Sequence, residues 1–465
     1  MANSNGWGDG ASNNTIGWGQ GANNAIGWGD SHLKSWAGST DIAGFDSSAI
    51  SYFNSTGITG ATQQDAIDNL VRGLKDDGIW NKMKAIYPFA TDNRNLASYT
   101  EDWANATWVK SNSTITSNAI IAPNGTLTAD LFQANAAFGN TSLGGVRQTA
   151  GTFKTSIYVK GVTGVAAVGS IILGRGMGFT ISTSGVVTVN NPIGYSSTNN
   201  YLSENVGNGW YRISFDWTYT TGVDGIVIAS SNSGDSFYIW GVQCEQSSTI
   251  STYQPILTTQ QAYISNQFKY NLKDPRDVDA AFRLVFNGGW THSSTGATSN
   301  GTNGYADTKL NPLSVFSTNY ASYGVYWRNT FSVAQTNIIG CCTVTNRFDL
   351  GYDNGVLVPF TTNGANNTNT GVDTDNRGLL VSTRQGLNTS KLFRNAILKV
   401  NTSSTFTANP NLNFYFAARN NSPIDYFANN QNIAFGHIGD GLTDTEASNL
   451  YTRVQAFQTA LSRQV

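Results

Sequence analysis

Charge is scarce in this chain of 465 residues. Asp, Glu, Lys and Arg together make up 12%, about half of the roughly 25% usual in soluble domains. The balance of 27 basic against 29 acidic residues, net −2, leaves no electrostatic basis for binding nucleic acid or an anionic membrane. Cysteine is limited to Cys244, Cys341 and Cys342, an odd number at irregular spacing that excludes a disulfide framework. Histidine is limited to His32, His292 and His437, with no metal-ligand spacing between them. No run reaches the ~18 consecutive apolar residues of a membrane span, and no apolar leader of a secretory signal stands at the N-terminus. No Gly-x-Ser-x-Gly elbow with a supporting pattern is present. Gly174-x-Gly176-x-Gly178 has no βαβ pattern after it and reads as a strand or turn feature.

What is abundant points elsewhere. Hydrophobic residues are 39% and aromatic residues 12%, enough for packed cores. Solubility must come from Asn, Ser, Thr and Gly. With 49 glycines and many short alternating runs, the chain reads as mainly β.

Three near-copies of one phrase open the sequence: Gly6-Trp7-Gly8-Asp9-Gly10, Gly17-Trp18-Gly19-Gln20-Gly21 and Gly27-Trp28-Gly29-Asp30. A flexible linker gains nothing from large apolar side chains at near-constant spacing. Trp7, Trp18 and Trp28 are therefore expected to seat in a partner, so residues 1–40 read as an attachment segment. Residues 41–91 read as a linker with helices leading into a later β-sandwich, irregular or short-strand up to Gly60. Thr62 is the expected N-cap, and Ile67, Leu70, Val71 and Leu74 form a helical stripe. Asp68 and Arg72 make an i,i+4 ion pair. A break at Asp77-Gly78 precedes a second short helix, Ile79 to Ala85.

Residues 92–257 read as one β-sandwich, with runs at 156–160, 211–217 and 237–242 separated by turns such as Pro123-Asn124-Gly125 and Asn208-Gly209. Residues 258–465 read as a second sandwich, with strands at 282–286, 322–327, 378–383 and 411–417. A final helix follows, capped by Thr443 and Glu446.

Three sets of motifs resemble known families. The Gly-Trp-Gly repeats resemble the N-terminal repeats of virion proteins from phages of Bacteroidetes, crAss-like phages among them. Asn95 to Trp103 with Trp108-Val109-Lys110, Gly207 to Arg212, Ile239 to Gln246 and Tyr253-Gln254-Pro255 resemble a carbohydrate-binding-module-like domain of phage tail proteins. That family usually has an apolar residue where Cys244 stands, so Cys244 is expected in the core. Trp80 to Phe89, Asn271 to Arg276, Gly289 to His292, Asn303 to Asp307 and His437 to Thr443 resemble a concanavalin-A-like (laminin-G-like) jelly roll. In that family the Tyr-Pro-Phe run leads within a few residues to the Asn-Leu-Lys-Asp-Pro run. Here residues 92–257 intervene, so the first sandwich is expected to be inserted into a loop of the second. Such insertion is cheap, because loop-closure cost rises only logarithmically with length.

These resemblances imply a non-enzymatic fibre or spike on a phage particle, made in the host cytoplasm. Its N-terminus attaches to virion proteins and its sandwiches face host-surface or mucosal glycans. A homotrimer is expected, with a dimer as the other option. The alternatives are a head fibre or capsid decoration protein, a polysaccharide depolymerase and a secreted lectin. A glycan site needs an aromatic face and planar amides or carboxylates. Trp290, His292, Tyr305 and Asp307 in the Gly/Ser/Thr/Asn-rich stretch 288–307 are the first candidates, and Trp103 and Trp108 the second. Trp210, Trp217 and Trp240 are expected in the core. No cofactor is expected; Asp307 and Asp440 are the residues considered for Ca²⁺.

Overall fold

The computed structural model describes residues 44–465, apart from 148–149, 174, 191–199, 220–223, 318–319, 331–334, 344–345, 354–355, 361–374, 376, 387–388 and 403–407. The repeats with Trp7, Trp18 and Trp28, together with His32, lie outside the described residues, as does the Trp217 side chain. The chain divides into two compact units. One is Asp92–Asn266; the other joins the chain up to Thr91 with Gln267–Val465. The first of these units ends at Asn266, where the sequence reading has 257.

In the inserted unit two sheets of six strands face each other. Ile157, Val159, Ile213, Phe215, Phe237 and Ile239 from one sheet share a core with Ile171, Met177, Phe179, Ile226 and Ile228 from the other. Phe179 meets Phe237 edge-on across that core, 5.2 Å between centroids. The strands Ser236–Glu245 and Gly151–Gly161 pair antiparallel with a register shift between Trp240 and Gln243, and Gly151–Gly161 pairs in turn with Trp210–Tyr219. Asn208-Gly209 forms the two-residue turn before Trp210, both residues at positive φ (52° and 77°), as a tight hairpin of this hand requires. The two ends of the unit are stitched together. Asn95 donates its amide to the carbonyls of Val242 (2.9 Å) and Gln254 (3.0 Å), and its Oδ1 accepts from Cys244 N (3.1 Å). Cys244 is fully buried, as expected.

The outer unit has three layers. An eight-stranded sheet lies in the middle, a seven-stranded sheet covers one face, and helices cover the other. The strand Tyr320–Trp327 shows why alternation fades there: seven of its eight residues are buried, because both faces are covered. Tyr323 packs on Phe348 of the seven-stranded sheet and on Phe414 just before its strand Tyr415–Phe416. Tyr326 belongs to the core under the helices, its hydroxyl donating to Gln455 at 2.9 Å.

The helical layer corrects the linker expectation. Helices α1 (Ser47–Thr56) and α2 (Ala61–Asp76) are part of the outer unit, sharing a core with the C-terminal helix Asp444–Ala460. The segment before Gly60 was expected to be irregular or short-strand. Instead Asp46 caps α1, accepting from Ser48 N at 2.9 Å, and Ala49, Tyr52, Phe53 and Thr56 are its buried face. Helix α2 starts two residues earlier than expected, with Gly60 rather than Thr62 at the N-cap and no side-chain cap. Its stripe of Ile67, Leu70, Val71 and Leu74 is buried, and the Asp68–Arg72 pair forms at 2.6 Å. Gly73 costs about 1 kcal/mol in helix propensity. The Arg453 side chain crosses there, and a Cβ would stand 2.5 Å from its Cδ, so a larger residue would have to displace it.

Beyond Asp77 the expected second helix is only the 3₁₀ turn Trp80–Lys82, followed by the strand Met83–Tyr87, which pairs with Asn429–Gly439. The run 282–286 also differs. Phe282 takes a left-handed conformation (φ 58°) after a 3₁₀ turn, and the strand is Val285–Asn287. In 411–417 only Tyr415–Phe416 is strand. The final helix has the expected capping box: Thr443 Oγ1 accepts from Glu446 N (3.1 Å) and Glu446 Oε2 accepts from Thr443 N (2.8 Å). Its buried Leu450, Val454 and Phe457 each contribute about 1.5–3 kcal/mol. Among the described residues no helix is long and apolar enough to cross a membrane.

Candidate functional site

The stretch 288–307, expected as a loop, is mostly paired backbone. Trp290–Ser293 and Gly296–Asn300 form a hairpin in the eight-stranded sheet. Tyr305–Asp307 lies in the seven-stranded sheet, between Val285–Asn287 and Tyr415–Phe416. Asparagines organise the link between them. Asn300 Oδ1 accepts from the backbone of Thr302, Asn303 and Gly304, while Asn303 Oδ1 accepts from Gly289 N at 3.0 Å. Gly288 sits at φ 70°, where a Cβ would strike the Asn303 carbonyl.

The four first-choice residues are brought into one neighbourhood but divide into two kinds. Trp290 is partly exposed. Its indole N–H already donates to the carbonyls of Asn287 (3.0 Å) and Tyr305 (3.3 Å), and its ring meets Phe286 edge-on at 5.2 Å. His292 is buried at 5% exposure, with its ring against Phe286 and Phe268. Burial pushes its pKa down to about 4. It is a packing residue, which corrects its assignment to a glycan site. Asp307 is also buried. Its carboxylate accepts from Lys309 N (2.8 Å) and Asn413 Nδ2 (3.1 Å) and pairs with Lys309 Nζ (3.0 Å).

Tyr305 acquires a partner that the sequence reading did not single out. Register places Asp307 opposite Tyr415, and Tyr305 and Tyr415 stack with centroids 4.6 Å apart and planes 23° apart. Both rings are partly exposed, and Asn287 and Asn413 beside them are partly exposed too. Burial, with Asp307 and Tyr305 adding, pushes the Tyr415 hydroxyl up to about 12, so it stays a neutral donor and acceptor at physiological pH. An aromatic face edged by amides and hydroxyls is the chemistry that holds a sugar ring: apolar area for the C–H face and directional groups for the hydroxyls. The signal for Tyr415 was its place in the run 411–417, but only strand pairing tells which residue it meets.

The second-choice residues are withdrawn from any surface. Trp103 and Trp108 are both 0% exposed in the core of the inserted unit, 4.1 Å apart, with Trp108 Nε1 donating to Tyr99 O (3.1 Å). A sugar cannot reach them without opening that core. Trp210 and Trp240 are buried as expected, in a satellite cluster with Tyr158. Of the residues considered for Ca²⁺, Asp440 pairs with Lys84 at 2.9 Å and Asp307 with Lys309. Each supplies a single carboxylate facing an ammonium, far from the six to eight oxygens Ca²⁺ takes. A groove of about 450 Å³ between α2 and the C-terminal helix is lined by Ala66, Leu70, Gly73, Arg453 and Phe457 among others, with no histidine, cysteine or hydroxyl residue.

No protein-family model matches the chain, and no curated protein matches it. Among solved structures it is similar to a Trypanosoma rangeli sialidase in complex with sialic acid, at 11% identity and TM-score 0.28, over 73% of this chain and 70% of that one. It is also similar to domains LG4-5 of the mouse laminin alpha1 chain, at 9% identity and TM-score 0.21, over 67% of this chain and 88% of that one. Likeness of that degree leaves the fold to be read from the sheets themselves, which are mainly antiparallel β-sandwich layers.

Proposed function

We propose that this chain is a non-enzymatic structural protein of a tailed phage particle whose β-sandwich units hold host-surface or mucosal glycans. The glycan part is carried by the stacked, partly exposed Tyr305–Tyr415 pair on the seven-stranded sheet. The particle part is supported by the resemblance of the Gly-Trp-Gly repeats to those of phage virion proteins. In this reading Trp7, Trp18 and Trp28 seat in a virion subunit, and the molecule is a homotrimer. A head fibre or capsid decoration protein is the same molecule at another place on the particle.

A depolymerase is disfavoured at this surface. Glycoside hydrolysis needs two available carboxylates roughly 5–10 Å apart. Here Asp307 is committed to Lys309, Asp279 to Arg283, and Asp277 to Lys269 and Arg283. The test is a glycan array with the wild type and Tyr415→Ala. Loss of binding by about tenfold or more, with the fold intact, supports the site; unchanged binding removes it. Release of oligosaccharides from host capsular polysaccharide would overturn the non-enzymatic reading. Antibody labelling of particles in the electron microscope decides between head and tail.

A further inference from the structure

A second feature of the outer unit has an unbalanced charge. Trp80 stands where α2, the strand Met83–Tyr87 and the Asn271–Asp274 turn come together. Lys75 comes from the last turn of α2, Lys84 from the strand and Lys273 from the turn. Lys273 Nζ lies 3.9 Å from the centroid of the Trp80 ring and Lys75 Nζ lies 5.4 Å from it. The framework is fixed by Asn271: its Nδ2 donates to Lys84 O (3.1 Å), and its Oδ1 accepts from Ile86 N (2.9 Å) and Lys273 N (3.0 Å).

Two of the three ammonium groups are neutralised. Lys75 pairs with Asp46 at 2.7 Å and Lys84 with Asp440 at 2.9 Å. The carboxylate next to Lys273 in sequence, Asp274, is taken by Arg276 at 2.5 Å. Lys273 has no carboxylate within 4 Å among the described residues; it donates to the Trp80 carbonyl at 2.9 Å. An ammonium has three donors, so two remain, and Lys273 is partly exposed. Burial first, then the positive charges of Lys75 and Lys84, pull its pKa down to about 8. The site is held rigidly, it reaches solvent, and one negative charge would complete it.

We infer that the Lys273–Trp80 corner binds a single carboxylate or sulfate group borne by an acidic sugar residue. The sugar half of this inference rests on the glycan reading above; the anion half does not. Lys273, held over the Trp80 ring, supplies the charged contact, since Lys75 and Lys84 are already paired with Asp46 and Asp440.

The test uses the full chain and trace acetylation at pH 8, read lysine by lysine by peptide mass spectrometry. With a pKa of about 8, half of Lys273 is neutral and reactive, against under ~1% of an ordinary lysine. It is expected to be modified well ahead of the other lysines. Polygalacturonate and chondroitin sulfate are expected to protect Lys273 about tenfold, and dextran not at all. Lys273→Met should weaken retention of the acidic polymers by about tenfold, the worth of one charged hydrogen bond. Lys160→Met, in the other unit, should not. The inference is overturned if dextran protects equally, if neither acidic polymer protects, or if Lys273→Met binds them as the wild type does. Equal protection by inorganic sulfate at the same anion concentration would overturn the sugar half alone. Because protection is scored at Lys273, it stands or falls separately from the effect of Tyr415→Ala on the array.

Discussion

Replacing His437 by leucine should change how stability depends on pH. His437 lies on the strand Asn429–Gly439, paired between Ile86 and Gly324. It is 0% exposed, and neither ring nitrogen has a hydrogen-bond partner among the described residues. At Gly324 a Cβ would come 2.3 Å from the Leu380 carbonyl oxygen and 2.6 Å from the imidazole. Burial alone pushes the His437 pKa down to about 3. In the unfolded chain it is about 6.5.

The folded pKa is therefore depressed, so the unfolded state takes up a proton first as pH falls. His437 leaves stability untouched above pH 6.5 and lowers it by about 1.4 kcal/mol per pH unit between about 6.5 and 3. At pH 4.5 that loss is about 2.7 kcal/mol. His292, with a pKa of about 4, acts in the same direction. The buried Asp349, pushed up to about 6, acts oppositely: its contribution is full at acid pH and fades as pH rises through 6. Both cancel when His437→Leu is compared with wild type. The variant also removes two orphaned polar atoms, worth about 1–3 kcal/mol, against a shape change costing under about 1.5 kcal/mol. Urea unfolding at pH 4.5 to 8 should show the variant equal to or more stable than wild type at pH 8, with the advantage growing by about 1.4 kcal/mol per unit below 6.5. Parallel stability curves for the two proteins would refute the burial argument.

Two further changes test the packing. Thr443→Ala removes one half of the capping box and should cost about 1 kcal/mol in urea unfolding; no change would mean that the first turn is held by packing alone. Trp108→Ala should destabilise the inserted unit by about 3–5 kcal/mol, read as early loss of its unfolding transition. A stable variant that had lost only glycan binding would restore Trp108 as a surface residue.

Much of the fold was legible because it rests on local physics. The Thr443-x-x-Glu446 box, the Asn208-Gly209 hairpin and the Ile67, Leu70, Val71, Leu74 stripe are encoded within a few residues each. Helix α1 is not among the helices expected from the sequence, although its signals are local: Asp46 stands at its cap, Gly57 follows its end, and Ala49, Tyr52, Phe53 and Thr56 follow the helical period. Its exposed residues are mostly serine and asparagine, which obscure that pattern. Trp80–Lys82 misled for a different reason. The apolar residues from Ile79 to Ile86 fit a helix as well as a strand, and pairing with Asn429–Gly439 decided for strand.

The site was less legible. Tyr305 and Asp307 were identifiable as polar and aromatic residues among turn-formers. Tyr415 became a candidate only when its strand lay beside theirs. Trp103 and Trp108 look like exposed aromatics at the start of a domain, yet the core of the inserted unit buries them.

The sequence by itself determined the composition-level answer: a low-charge, turn-rich, mainly β chain with a capped terminal helix. Tertiary structure alone decided which aromatic rings face solvent, that His292 is core, and that Lys75 and Lys273 meet at Trp80. The reason is that periodicity marks which residues share a face of a strand. Which face another layer covers, and which distant strand lies alongside, depends on pairing between segments that carry no local trace of each other.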